Sequence, residues 1–179
     1  RYELSPCAAG AVLGDENGND TTARGCSVAG VVPQTGITWF QAAAMCANAG
    51  KRLCSNAEWQ AAVSGTKDPG DVGGMSGTCV TSGALRKTGL GTECRSRFGA
   101  EDMIGNMREW VADWDQAGRS WQMGNGQVAD PAPWPANYHD DRTWNHDGTS
   151  GSGAKGRPVA AVRGGYYDGH AQAGAFAYD

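Results

Sequence analysis

"ITWFQAAAMCANAGKRLCSNAEWQAAV" occupies residues 37–63 and reads as two short helices joined by a sharp turn. Thr38 stands just before an alanine-rich apolar run, where its hydroxyl can accept from an otherwise unpaired helix N–H. The first helix is therefore predicted to run from Trp39 to about Ala49, with Gly50 following in the left-handed position that ends many helices. Ala43, Ala44 and Ala47 give it a small-residue face that permits close packing. Ser55 and Glu58 have the spacing of a capping box, in which each side chain meets the other residue's backbone N–H. A second helix is predicted from Asn56 to about Val63, with Trp59 turned inward.

Outward from this pair the signals change. Residues 1–36 are rich in turn formers and 64–98 in Gly, Ser and Thr. "GDENGND" (14–20) reads as a solvated loop, and its three acids and two Asn also make it a candidate cation loop. "MREWVADW" (107–114) alternates: Arg108, Trp110, Ala112 and Trp114 face one way, Met107, Glu109, Val111 and Asp113 the other. That period, with aromatic and β-branched content, predicts a strand. "PVAAVRGG" (158–165) predicts a second short strand ending in glycines. Between them, 116–157 has little period but carries Trp121, Trp134, Tyr138, His139, Trp144 and His146. Aromatic residues at that frequency argue for a folded, Trp-rich insertion rather than disorder. "GTSGSGAKG" (148–156) within it reads as a flexible tip.

The whole chain, 179 residues, is expected to form one domain (1–179), loop-rich because it holds 28 glycines. A net charge of −4 speaks against nucleic acid as a partner. No apolar run is long enough to span a membrane. Six cysteines, at positions 7, 26, 46, 54, 79 and 94, form no C-x-x-C pair, and three histidines are too few to complete zinc clusters with them. An even count in such a chain predicts disulfides and an extracellular, cell-surface or periplasmic location. Pairing of neighbours is expected: Cys7–Cys26, Cys46–Cys54 and Cys79–Cys94, each stabilising by roughly 2–4 kcal/mol. The chain opens at Arg1 with no signal-peptide pattern, compatible with a leader already removed.

Three blocks, in order, resemble the formylglycine-generating enzyme (sulfatase-modifying factor) family. They are the helix pair at 37–63, "FGAEDMIGNMREWVADW" (98–114), which is similar to that family's G-N-x-x-E-W-x-x-D-W block, and "AVRGGYY" (161–167), similar to its R-G-G-S-[WY] turn. The resemblance implies an α+β, C-type-lectin-like fold, disulfide-bonded, with two helices around a small, mostly antiparallel sheet. It also implies calcium, held at Gly105, Asn106, Met107 and Glu109 through oxygen ligands. The alternative is that Asn106 shapes the turn and Glu109 pairs with Arg52 or Arg163. Enzymes of the family carry two copper-binding redox cysteines soon after the R-G-G turn. The matching positions here are about Gly174 and Asp179, and no cysteine follows Cys94. Copper is therefore not expected. The three histidines do not supply the triad of the related iron-dependent sulfoxide-forming enzymes. Family members end in a G-F-R-C strand whose cysteine bonds the one matching Cys46. That strand is absent after residue 179: it either lies outside this sequence or is supplied by a neighbouring chain, and both leave an open sheet edge and the pairing of Cys46 open.

The end of the chain, "RGGYYDGHAQAGAFAYD" (163–179), resembles the variable region of retroelement-diversified proteins, with "AQAGAFA" (171–177) matching their A-x-A-G-x-F-A frame. The resemblance places the chain in a non-catalytic branch. Tyr166, Tyr167, Asp168, His170, Gln172, Tyr178 and Asp179 are then the displayed positions, joined by Trp134 and Trp144 of the insertion. Tyr supplies wide contact at low entropy cost, and Asp and His add adaptable polar contacts. The expected function is ligand or receptor binding, as an adhesin or display domain, with a protein or glycan as ligand. An oxidase relative with lost or relocated cysteines and a structural subunit completed by a neighbour are the alternatives. Incubation with copper, oxygen and a cysteine-containing peptide should give no aldehyde product beyond a protein-free control; formation of that product above the control would restore the oxidase reading.

Overall fold

Two side-chain caps start the helices. The structure, a computed structural model, describes residues 3–74, 77–116, 122–123, 127–128 and 158–177. Helix α1 (Trp39–Asn48) begins at Thr38, whose hydroxyl accepts from Gln41 N–H at 3.2 Å while the Gln41 side chain accepts from Thr38 N–H at 2.9 Å. Helix α2 (Asn56–Ala62) repeats this with Ser55 and Glu58, at 3.2 and 2.8 Å. The Glu58 carboxylate also accepts two 2.7 Å bonds from Arg52 in the linker, which hold its carboxyl down to about 2. Gly50 takes φ +70° at the predicted stop. Each helix thus carries its own boundary in the sequence, which is why these two were legible.

Strands β1 (Leu4–Pro6) and β2 (Gly25–Ser27) pair antiparallel inside the turn-rich segment 1–36, where no strand was expected. Strand β3 (Glu109–Gln116) is followed by a two-residue ladder of β4 (Gln122–Met123) with β5 (Gln127–Val128), and then by β6 (Pro158–Arg163). β3 and β6 pair antiparallel, Glu109 opposite Arg163 and Gln116 opposite Pro158. The clean alternation expected in β3 does not survive. The register shifts between Trp110 and Trp114, and Ala112, Asp113 and Trp114 are all exposed while Val111 is buried. A bulge adds a residue on one strand only, so the two-residue period resets across it. Within this stretch Ala112 N–H donates to the Cys54 carbonyl at 2.7 Å, outside the β3–β6 ladder. The architecture is α+β, as expected: two helices, small antiparallel sheets and disulfides.

The disulfides Cys7–Cys26 and Cys79–Cys94 form between sequence neighbours. The expected Cys46–Cys54 bond does not: both are free thiols. Cys46 is buried on α1 beside Met45. Cys54 is held toward β3 by its carbonyl bond to Ala112 and by the Ser55 cap that follows it. Burial pushes both thiols above their ordinary value, so neither favours the thiolate that would attack a disulfide. The core gathers Trp59, Val63, Met103, Ile104, Val111, Ala161 and Ala175 around Cys79–Cys94. The Arg163 guanidinium covers the Trp59 ring at 4.6 Å.

β6 ends in a turn that only glycine permits. Gly164 and Gly165 have φ +81° and +77°. A Cβ on Gly165 would fall inside the Ala173 backbone, so a side chain is excluded by space as well as by φ. Gly10 also has positive φ, +75°, but faces open space. Gly165→Ala should therefore lose about 2–4 kcal/mol, backbone strain plus overpacking, whereas Gly10→Ala should lose about 1 kcal/mol. Urea unfolding of both variants measures the difference; equal losses would show that the Ala173 contact is not a constraint.

Candidate binding face and buried carboxylates

From Arg163 onward the chain is laid on a backbone frame. The Gly164 carbonyl accepts from Gly105 N–H at 2.8 Å and from Gly174 N–H at 3.2 Å. Tyr167 N–H donates to the Asn106 carbonyl (2.9 Å), and His170 N–H to the Thr81 carbonyl (2.7 Å). Thr81 is fully buried and works in two directions. Its hydroxyl donates to the Gly70 carbonyl (2.6 Å) and accepts from Gly73 N–H (3.0 Å), so it fixes the 3₁₀ turn Gly70–Val72 beside the 3₁₀ turn His170–Gln172.

Along this frame the side chains divide by size. Ala171, Ala173, Ala175 and Ala177 are buried, with Gly169 and Gly174, while Phe176 is half-buried. The side chains of Asp168 and His170 are 56% and 55% exposed. Tyr166, Tyr167 and Gln172 are half-buried. Only small residues fit beneath, because Gly165 lies directly against Ala173. Tyr166 and Tyr167 meet edge to face with centroids 5.8 Å apart, and Arg108 lies over the Tyr166 ring at 4.6 Å. His170 has φ +49°, its Nε2 lies 3.4 Å from Asp168, and its other ring nitrogen lies 3.4 Å from the Asp71 carbonyl. Three contributors were missed in the sequence: Arg108, Asp71 and Val72, the last 72% exposed. Their membership depends on Thr81 and on the end of β3, so no local pattern announces it. Tyr178, Asp179, Trp134 and Trp144 lie outside the described residues.

The four residues considered for calcium surround a buried acidic nest. Asn106, at φ +56° and 1% exposed, is fully engaged. Its Nδ2 donates to Glu3 at 2.6 Å and to the Arg86 carbonyl at 3.1 Å, and its Oδ1 accepts from Arg86 N–H at 2.8 Å. Met107 N–H donates to the other Glu3 oxygen at 2.9 Å. Asn106 thus braces the turn and has spent its amide on protein partners. Glu109 as a whole is half-buried, but its carboxylate is enclosed, with Oε2 lacking any hydrogen-bond partner. A Cβ on Gly164 would stand 2.5 Å from that oxygen and 2.7 Å from the Met103 carbonyl, so both oxygens line one spot. The alternative pairing with Arg52 is not made, since Arg52 is taken by Glu58. The Arg163 guanidinium donates to Gln60 and the Ala175 carbonyl. Among the described residues no three His, Cys, Asp or Glu side chains are grouped to hold a metal. Of the expected set, the Asn106 oxygens accept from Tyr167 and Arg86 N–H, whereas Glu109 Oε2 has no hydrogen-bond partner.

Burial raises the carboxyls of Glu3 and Glu109 well above the usual range. For Glu3 the Asp102 charge adds to burial, and for Glu109 the charges of Glu3, Cys54 and Asp102 do. A carboxyl raised in the folded state contributes stability that is complete below its unfolded value and is lost as pH rises through the folded value. Glu109→Gln removes one of these charges, and its amide can donate to the nearby Met103 carbonyl. In chelator, the melting temperature of Glu109→Gln should exceed that of the parent at pH 8, with the gap closing toward pH 4. A gap that is constant with pH would mean that Glu109 is not a strained carboxylate.

Residues 14–175, from the acidic loop before α1 to the buried alanines of the tail, match the family model described as the sulfatase-modifying factor enzyme 1-like domain. No curated protein and no solved structure matches the chain significantly. The match takes in both capped helices, the Gly105–Asn106 turn and the Gly164–Gly165 turn, and it covers most of the sequence. This chain therefore belongs to the sulfatase-modifying factor enzyme 1-like family.

Proposed function

We propose that this is a non-catalytic binding domain of the family, C-type-lectin-like in fold and displayed outside the cytoplasm. Its contact face is carried by Tyr166, Tyr167, Asp168, His170 and Gln172, and its ligand is a protein or glycan. The observation that carries the reading is the division of the tail: small residues packed inward on a frame of backbone hydrogen bonds, with Asp168 and His170 exposed and Tyr166, Tyr167 and Gln172 half-buried between. Frame and face are then separable, so the outward positions can change without loss of the fold, as a diversified surface requires. Arg108, Asp71 and Val72 extend the face with both charges and an apolar tip, a composition suited to contact with another macromolecule. The two free thiols, buried or partly so and raised in pKa, make poor nucleophiles, which supports a non-catalytic role. Two disulfides support an extracytoplasmic location, and among the described residues no helix is long and apolar enough to cross a membrane.

Calcium is a second proposal, carried by the unpartnered Glu109 Oε2 alone. An ion bound only by the native state stabilises it by mass action. Added calcium should then raise the melting temperature of the parent and not that of Glu109→Gln; no shift in either would remove calcium from the account.

The binding reading is tested by two displayed libraries, one randomised at Tyr166, Tyr167, Asp168, His170 and Gln172, the other at Ala171, Ala173 and Ala175. Most members of the first should remain folded by protease resistance, and selection against lysozyme as a probe protein should yield binders. Most members of the second should be digested. Equal digestion of both libraries would return the tail to the role of ordinary core.

A further inference from the structure

A second exposed surface lies apart from the tail. Trp39 and Phe40 open α1, and Trp114 stands past the β3 bulge, yet the three rings meet. Trp39 and Trp114 are 5.2 Å apart between centroids, Phe40 and Trp114 5.8 Å, and Trp39 and Phe40 5.4 Å. Phe40 and Trp114 are 44% and 43% exposed. The cluster is fixed from below: Trp39 Nε1–H donates to the Val111 carbonyl at 2.7 Å, leaving the ring edge no polar demand of its own. Rigid aromatic groups held this way bind with little loss of side-chain entropy.

The polar neighbour of this cluster is the 14–20 loop, folded against the first turn of α1. Thr38 Oγ1–H donates to the Glu16 carbonyl at 2.6 Å, and the Gln41 side chain to the Gly14 carbonyl at 3.2 Å. Gly18 has no room for a Cβ against the Phe40 carbonyl, which stands 2.7 Å from where that atom would be. The loop is internally braced, with Asp15 accepting from Asn17 N–H, Asn19 N–H and the Asn19 side chain. Those bonds hold the Asp15 carboxyl below its ordinary value. They also turn the Asn19 Nδ2 group and both Asp15 oxygens toward each other. The loop also presents charge to solvent, from Asp15, Glu16 and Asp20, all exposed.

We propose that the Trp39–Phe40–Trp114 cluster and the adjoining Asp15, Glu16 and Asp20 form a docking surface for an arginine-bearing protein segment. A guanidinium stacks on indole and phenyl faces and is attracted to the ring quadrupole, most strongly for Trp. Carboxylates at the margin supply the countercharge and the steering. The protein already uses this chemistry internally, with Arg163 over Trp59 and Arg108 over Tyr166. The proposal is independent of the tail face.

The test is calorimetric titration of the full chain with a capped (Arg-Gly)₄ peptide at low and moderate salt. Binding is expected to weaken roughly tenfold in Trp114→Ala, whose ring is exposed and whose loss should leave the fold intact, consistent with one desolvated cation–π contact. Glu16→Gln with Asp20→Asn should weaken binding and flatten its salt dependence. Glu93→Gln, which removes an exposed acid elsewhere, should leave binding unchanged. The proposal is overturned if the peptide does not bind, if Glu93→Gln weakens binding as much as the loop variant, or if Trp114→Ala binds as the parent does. It is equally overturned if a neutral chito-oligosaccharide binds in its place and is lost in Trp114→Ala, or if that variant instead abolishes concentration-dependent self-association.

Discussion

The carbonyl of Gly164 is the point on which the rest of the structure converges. It accepts from Gly105 and from Gly174, and so joins the end of β6, the turn before β3 and the tail at one oxygen. That geometry requires left-handed backbone at both Gly164 and Gly165, which is open to glycine at little cost. Gly105 is equally constrained, because a Cβ there would overlap the Val80 carbonyl. Glu109 and Trp59 close over the same spot. The tail is therefore a packed part of the domain, and its outward residues are positioned by it.

Behind this joint lies an arrangement that favours order over stability. Glu3, 103 positions from Asn106 in sequence, places its carboxylate against the Asn106 amide and Met107 N–H. Asp102 lies within 3.8 Å of Arg86, while Glu109 keeps an oxygen without a partner. Several carboxylates close together in a low-dielectric interior repel one another and lose hydration, which is why Glu3 and Glu109 hold their protons more tightly than usual. The return is a defined turn: Asn106, at positive φ, is locked by three side-chain bonds, and the N-terminal strand is tied to the centre of the domain.

Two surfaces with different chemistry rest on this support. The tail face mixes Tyr, Asp, His and Arg on a floor of alanines. The aromatic cluster at the start of α1 is apolar in the middle and acidic at its margin. Both depend on rigid backing, through Thr81 in one case and the Trp39 bond to Val111 in the other. Neither needs a deep cavity, which suits contact with extended or macromolecular partners.

The sequence by itself determined what local chemistry determines. Thr38, Ser55 and Glu58 announced the helices, since a cap is satisfied within a few residues. The even cysteine count announced disulfides, and nearest neighbours gave Cys7–Cys26 and Cys79–Cys94 correctly. The Arg-Gly-Gly turn was legible because left-handed backbone is open to glycine at little cost. Tertiary structure decided everything that depends on register and on distant partners. The β3 bulge cancelled an alternation that the residues themselves suggested. β1 and β2 paired without a periodic signal, because two three-residue strands carry too few side chains to show one. Cys46 and Cys54 stayed unbonded, with Cys54 tied to β3 by its cap and the Ala112 bond, and sequence spacing carries no such information. Asp71, Val72 and Arg108 joined the tail only through Thr81 and the end of β3. A side chain's chemistry is written at its own position, but its neighbours across the fold are set by where the backbone hydrogen bonds close.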